Sequence, residues 1–285
     1  MKLILKNTDN SLNGRINITK KDIPCLDSSW HYHDQYELLY ISKSNGIRFV
    51  GDSVSQFHPG DLVLVSPYLP HLWRNDASYY GEDDTNKVKT IVIKFSKDFI
   101  GEGAFNLAEF ADINNLFEQS KYGVSFGGKV SQALNNELID IIDLSPAQQL
   151  IKLLDILCRL SATDDKTILS SSDMRQYTTD SSDRLDSVIK FVSDNYARDI
   201  NLNDVADIAC MTTNSFCRFF KKMTNKSFTQ ILNEIRVRNA SRLLVQEDIP
   251  ISEICYMVGY NSITNFNRQF KEIMGSTPNN YRNTI

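Results

Sequence analysis

No run of eighteen uninterrupted apolar residues occurs in the 285-residue chain, and its first apolar run, LILK, is far shorter than the core of a signal peptide. Membrane-spanning helices are thereby excluded, and a cytoplasmic protein is expected. Cysteine is sparse: Cys25, Cys158, Cys210, Cys217 and Cys255 are odd in number, scattered, and never spaced as CxxC. Such a pattern supplies neither a zinc knuckle nor a disulfide framework, and it predicts reduced thiols. Histidine is scarcer still, with four residues, so the position of each carries weight.

What is present is ordinary in amount and uneven in placement. Hydrophobic residues make up 41% and charged residues 23%, enough to bury cores in two domains. The net charge of −4 argues against a nucleic-acid partner. Residues 1–183, however, hold 18 Lys and Arg against 25 Asp and Glu, a net −7, while residues 184–285 hold 13 against 10, a net +3. The basic part is the C-terminal third, and only the placement of its charges can decide what they face.

From about Trp30 to Phe95, short β-rich runs such as DLVLVSP and TIVIKF alternate with the turn signals SNG and HPGD. Strands at that spacing predict an antiparallel sandwich or barrel. The period then becomes helical. Val130, Leu134, Leu138 and Ile141 form one stripe, and Leu150, Leu153, Leu154 and Leu157 form another, entered through SPAQ with Pro146 in a first turn. Residues 1–162 are therefore expected to be one domain, and the Ser-, Thr- and Asp-rich residues 163–183 an exposed linker. Residues 184–285 read as short helices without a strand pattern.

Within that last part the chain repeats itself. NLNDVADIACMTTNSFCRFFKK predicts a short helix with Val205, Ala206 and Ala209 inward, a break at Cys210 and Met211, and a second helix capped by Thr212 and packed through Phe216, Phe219 and Phe220. ISEICYMVGYNSITNFNRQFKE repeats it, with Ile251, Ile254 and Cys255 inward, Gly259 at the break, Asn261 as the cap, and Phe266 and Phe270 inward. Each is a helix-turn-helix, whose turn wants a left-handed residue, normally Gly. Cys210 breaks that rule at a cost of about 1 kcal/mol. Between the units, FTQILNEIRVRNASRLLVQ predicts a helix from Phe228 to Gln246. At 1.5 Å per residue it spans roughly 28 Å, close to the ~34 Å between successive major grooves on one face of B-DNA.

These blocks, together with RFFKKMTNKSF, IRVRNASRLL and the closing Pro278 and Tyr281, resemble the DNA-binding domain of the AraC/XylS transcription regulators over about residues 185–283. The resemblance implies an α+β multidomain protein: an N-terminal cupin-like antiparallel β-barrel with two flanking helices, then an all-α domain with two helix-turn-helix motifs joined by a long helix. It also implies a one-component regulator without enzymatic activity, with double-stranded DNA as partner, a small-molecule effector, a homodimer paired through the helices Val130–Ile141 and Ala147–Leu160, and the contact with RNA polymerase that an activator makes. Base readers are expected at Asn214, Ser215 and Arg218, with Cys217 beside them, and at Ile263, Thr264, Asn265 and Arg268. Arg suits guanine, Asn suits adenine and Ile263 suits a thymine methyl. Thr212, Lys221, Lys222, Asn261 and Lys271 suit phosphates.

In the front domain, HYHDQYE places His31, His33 and Glu37 at one parity, hence on one face of a strand. With His71 of SPYLPHLWRN they resemble the cupin metal set, in which Asn75 also falls in place, and such a set suits Zn²⁺, Mn²⁺ or Fe²⁺. The same HxHxxxEL and PxxPH patterns also resemble the sensor domains of AraC-type regulators. The favoured reading has no cofactor and no metal: His31, His33, Glu37, His71 and Trp73 line an effector pocket, and Trp30, Tyr32, Tyr36 and Trp73 offer faces for a carbohydrate-like molecule. The alternative is a metal-dependent cupin enzyme with an accessory DNA-binding tail.

Overall fold

The computed structural model describes residues 15–26, 29–76, 79, 87–175, 182–246 and 249–283. The chain divides into two compact units, Met1–Asp180 and Ser181–Ile285.

The first unit is built on strands β1 Ile16–Ile23, β2 Tyr36–Lys43, β3 Gly46–Val50, β4 Ser53–Phe57, β5 Asp61–Val65, β6 His71–Asn75, β7 Val88–Phe95, β8 Val124–Phe126 and β9 Lys166–Ile168. They form a six-stranded sheet in the order β1-β7-β2-β5-β8-β9 and a three-stranded sheet in the order β4-β3-β6, every pairing antiparallel. Alternation assigns the faces. From β2, Leu39 and Ile41 meet Val63, Val65 and Val92 of the large sheet and Val50, Phe57 and Trp73 of the small one, so the sheets close face to face. Arg48 on β3 joins them, donating to Asp61 on β5 and, at 3.0 Å, to Ser125 on β8.

The opposite face of the large sheet is just as apolar. Tyr36, Leu38 and Tyr40 of β2 point there, onto α1 Ala111–Gln119, α2 Gly128–Asp140 and α3 Pro146–Ala162. The expected stripes on α2 and α3 are buried in this layer, with Ser145 and Gln148 forming a capping box at the start of α3. There are three such helices rather than two, because Ile113, Leu116 and Phe117 of α1 complete the cover.

Residues 163–183 do not behave as a linker throughout. β9 adds to the edge of the large sheet, and Ser170 donates its hydroxyl to Asp52 at 2.9 Å while the Ser171 N–H donates to the same carboxylate at 2.8 Å. Met174 is buried among the inter-sheet residues. Gly51, at φ 55°, permits the approach, since a Cβ there would lie 2.3 Å from the Ser170 hydroxyl. The serines that read as solvent-loving are partners for a buried carboxylate 118 residues earlier. Residues 176–181 of the expected linker lie outside the described residues, and α4 already begins at Ser182.

The second unit contains α4 Ser182–Asn195, α5 Leu202–Ile208, α6 Thr213–Thr224, α7 Phe228–Gln246, α8 Ile251–Met257, α9 Ile263–Met274 and α10 Pro278–Asn283. The two halves of α7 serve different cores. Its Phe228 packs against Phe216 and Phe220 of α6 at 5.9 and 5.7 Å, while Val237, Ala240 and Leu244 pack with Phe266 and Phe270 of α9. One apolar side was expected on α7. Burial of Val237, Asn239 and Ser241 shows more of its circumference covered, because cores lie against more than one face.

Both tryptophans, Trp30 and Trp73, lie in the first unit, so their fluorescence reports on it alone. Asp52→Ala should remove the buried carboxylate that accepts from Ser170 and from both the N–H and hydroxyl of Ser171, and destabilise this unit by about 2 kcal/mol. Urea unfolding followed by tryptophan emission measures it; an unchanged midpoint would mean that residues 170–174 contribute nothing to the fold.

Candidate nucleic-acid interface and barrel site

The two helix-turn-helix units share their turn at the level of single hydrogen bonds. In the first, Met211 N–H donates to Ala206 C=O and Cys210 N–H to Asp207 C=O, both at 2.9 Å. In the second, Tyr260 N–H donates to Cys255 C=O and Gly259 N–H to Tyr256 C=O, both at 3.0 Å. This is the Schellman closure, which needs a left-handed residue after the helix. Cys210 has φ 53° and Gly259 φ 89°. Cys210 is exposed and its side chain has room, whereas a Cβ on Gly259 would lie 2.8 Å from the Tyr196 carbonyl oxygen. Cysteine is therefore tolerated in the first turn and glycine is required in the second.

Thr212 caps α6 as expected, accepting from Ser215 N–H. The cap of α9 is Ser262, accepting from Asn265 N–H, and not Asn261. The second turn is one residue longer than the first, and Asn261 is the extra residue, exposed between Tyr260 and the cap.

With Phe216 and Phe220 or Phe266 and Phe270 fully buried, each second helix turns its other side to solvent. Asn214, Cys217 and Arg218 are exposed on α6, and Ile263, Thr264, Asn265 and Arg268 on α9. Lys221, Lys222 and Lys271 are exposed further along the same helices. The expected readers are thus brought onto two surfaces carried by α7. Ser215 departs from the group, being half-buried and hydrogen-bonded through its hydroxyl to Thr212 at 3.0 Å. Arg268 donates to Asn265 at 2.9 Å, so two expected readers pair with each other in the free protein.

Sequence reasoning missed Arg236. Its guanidinium donates to the Tyr196 and Arg198 carbonyls, each at 2.8 Å, and lies 5.5 Å over the Tyr260 ring. It ties the middle of α7 to the end of α4 and to the second turn. Burial pushes the Tyr260 phenol well above its ordinary range, and the phenol donates to Asn233 at 3.1 Å.

In the first unit, His31, His33, Glu37 and His71 converge although a bend at Asp34 and Gln35 interrupts the strand. His31 forms a β-bridge with His71, and a ring nitrogen from each of the three histidines lies within 4.8 Å of the others. Each Nδ1 sits 2.8 Å from a backbone carbonyl two residues away, at Ser29, Gln35 and Leu69 respectively. His33 Nε2 lies 2.9 Å from one Glu37 oxygen and His71 Nε2 lies 4.0 Å from the other. Burial works to raise the Glu37 carboxyl, but His33, His71 and Lys94 outweigh it and hold the group well below the usual range. Burial, with His31 adding to it, pushes the His71 imidazole well below its ordinary value, so that ring is neutral at pH 7.

Lys94, with Nζ 3.3 Å from Glu37, was also missed, although Thr90, Val92 and Lys94 alternate onto one face of TIVIKF. Trp73 faces the same interior, and its indole N–H and the Thr90 hydroxyl are buried without a hydrogen-bond partner. Asn75 is occupied, accepting from Leu26 N–H and donating to Ser44. Two expected aromatic faces are elsewhere. Tyr36 stacks on Phe95 beneath the helices, and Trp30 packs edge-on against Phe49, whose strand partner Leu72 points away from His71 and Trp73. Alternation on the strands turns them out of the interior.

An antiparallel barrel followed by two helix-turn-helix units on one connecting helix defines a DNA-binding transcription regulator. Comparison with known proteins agrees. Residues 205–284 match the family model described as a helix-turn-helix domain. Over 266 residues the chain is 22% identical to the HTH-type transcriptional activator RhaR of Mannheimia succiniciproducens, covering 88% of this chain and 86% of that protein. It is 25% identical over 259 residues to the Msm operon regulatory protein of Streptococcus mutans, covering 88% and 85%. Among solved structures, ToxT from Vibrio cholerae aligns over 95% of this chain and 98% of its own with 14% identity and a TM-score of 0.36. Residues 205–284 thus carry an AraC-type helix-turn-helix domain, and the chain over most of its length is similar to proteins named as transcription regulators. Among the described residues no helix is long and apolar enough to cross a membrane.

The unequal turns make opposite predictions. Cys210→Gly should stabilise α5 and α6 by about 1 kcal/mol, and Gly259→Ala should destabilise α8 and α9 by about 2 kcal/mol, through the left-handed backbone and the clash with Tyr196. Hydrogen exchange of peptides from each pair, measured on the full chain, separates the two effects.

Proposed function

We propose that this regulator is a one-component switch that reads DNA with α6 and α9 and binds a small molecule inside its barrel. The observation that carries the DNA reading is the duplication itself. Two buried phenylalanine pairs leave two exposed polar faces with an arginine at the same place, Arg218 and Arg268. The nineteen-residue α7 joins them over roughly 28 Å, a length suited to neighbouring major grooves. Asn214 and Arg218 read one groove; Ile263, Thr264, Asn265 and Arg268 read the other. Lys221, Lys222 and Lys271 take phosphates, and Thr212 and Asn261 approach the backbone through their helix starts. Ser215, already bonded to Thr212, contributes to the cap more than to readout.

For the effector, the supporting observations are the unpartnered Trp73 N–H and Thr90 hydroxyl on the inner faces of the barrel strands, with the Trp73 ring 5.6 Å from that of His71. A polar molecule with hydroxyl groups, such as a carbohydrate, would satisfy them while stacking on Trp73. Pairing of two copies is assigned to the outward side of α3, where Ile151 is 65% exposed, since the inward stripe is consumed by the sheet. Activation of transcription is carried over from relatives such as the transcriptional activator RhaR, and a contact with RNA polymerase is the proposed route.

The test is a mobility-shift assay on DNA selected from a random pool by the full chain. Arg268→Ala should weaken the selected site by about 1–3 kcal/mol and relax preference at one position, whereas Lys271→Ala should weaken all sequences alike and reduce the salt slope by about one. Absence of any selected sequence at low salt would overturn the DNA reading. A panel of sugars monitored by Trp73 emission tests the effector.

A further inference from the structure

We propose that residues 170–175 form a strap that closes the barrel and lifts when a molecule enters it, so that occupancy lengthens the connection leading to α4. This deepens the effector reading and rests on it, because it concerns what an entering molecule must move.

Leu39, Val63, Trp73, Val92 and Met174 belong to one buried cluster between the sheets, and none is more than 9% exposed. Side chains packed at interior density admit a guest only by moving. A molecule that stacks on Trp73 and meets its N–H or the Thr90 hydroxyl therefore has to displace one of them. They differ in what holds them. Leu39, Val63, Trp73 and Val92 stand on strands, and shifting any of these breaks a ladder. Met174 stands on a segment that is neither strand nor helix. Its unbranched thioether chain leaves and re-enters a gap at small steric cost.

The anchors of the strap converge on one group. Asp52 accepts from the Ser170 hydroxyl at 2.9 Å, from the Ser171 N–H at 2.8 Å and from the Ser171 hydroxyl, while the Ser170 N–H donates to the Tyr122 carbonyl at 2.7 Å. Bonds that share a carboxylate are made and lost together. Asp52 lies in the turn between β3 and β4, so once uncovered it meets water and no charge is stranded in an apolar interior. The closed state also carries a cost of its own, since the Trp73 N–H and the Thr90 hydroxyl are buried without partners. An entering polar molecule relieves that cost as the strap bonds pass to water. Two arrangements are thus balanced against each other, and the guest selects the open one.

Six residues, 176–181, separate the seated strap from Ser182, where α4 begins; release adds residues 170–175 and makes twelve. A longer tether alters the effective concentration at which one unit meets the other, and in this way an event inside the barrel is passed along the chain.

The experiment uses the full chain and 1-anilinonaphthalene-8-sulfonate, an aromatic probe that can stack on Trp73 and accept excitation energy from it. In the free chain, hydrogen exchange at Ser170 and Ser171 should be at least about tenfold faster than in β2, because the strap opens without the strands. Saturating probe should speed exchange of the strap at least about threefold and leave β2 unchanged. Met174→Ser, which vacates the seat, should bind the probe at least about fivefold more tightly, and a further Trp73→Phe change should reduce the energy transfer. Strap amides that exchange as slowly as β2, or strap exchange that the probe slows or leaves unchanged, overturn the proposal. So does equal probe affinity in folded Met174→Ser, or no probe binding by either chain. Should that variant fail to fold, the two exchange measurements on the unaltered chain decide. Retention of the selected DNA is measured on the same preparations. The expected strap results without DNA retention count against the regulator reading alone, and a sugar panel without response counts against the carbohydrate alone.

Discussion

A helix cannot bury two phenylalanines four residues apart without turning the residues between them outward, and the second unit is organised around that constraint twice. Phe216 with Phe220, and Phe266 with Phe270, are fully enclosed. Burial of side chains of that size contributes several kcal/mol per pair, more than the polar residues on the opposite face could recover by packing inward. The exposed faces of α6 and α9 are thus fixed by what lies behind them. Their polarity is free to serve a partner.

The cores behind the two faces are joined through α7, and this is why one helix carries two surfaces rigidly. Its first half supplies Phe228 to one core and its second half supplies Val237 and Leu244 to the other. Arg236, between the halves, bonds the Tyr196 and Arg198 carbonyls beyond the end of α4. A charged residue so placed ties three elements together through directional bonds, which apolar contact alone would not do.

The parts of the fold that are periodic were legible in the sequence. The bounds of α7 follow from its spacing, as do the burial of the stripes on α2 and α3 and the left-handed strain at Cys210. Parity in HYHDQYE brought His31, His33 and Glu37 to one place. What was not legible depends on partners far along the chain. Ser170 and Ser171 look like linker residues until Asp52 is seen to accept from them, and Tyr36 looks like a pocket aromatic until alternation places it against Phe95 and Phe117. The orientation of the three histidine rings was also hidden. Sequence shows which residues gather, but only backbone carbonyls at 2.8 Å show which nitrogen of each ring is left basic.

Asn261, the extra residue in the second turn, bears on how such a duplication tolerates insertion. A helix sets its angular phase at its cap, so length added before Ser262 is absorbed by the connection and never reaches α9. From the caps onward the two units keep a constant offset of fifty residues, Arg218 to Arg268 and Asn225 to Gly275, while before the turns the offset is forty-nine, Cys210 to Gly259. An indel at that junction is silent in orientation, whereas the same indel two residues later, inside α9, would rotate Phe266 and Phe270 by about 100° relative to the cap. Drift in this chain can therefore collect at the joints without disturbing either exposed surface.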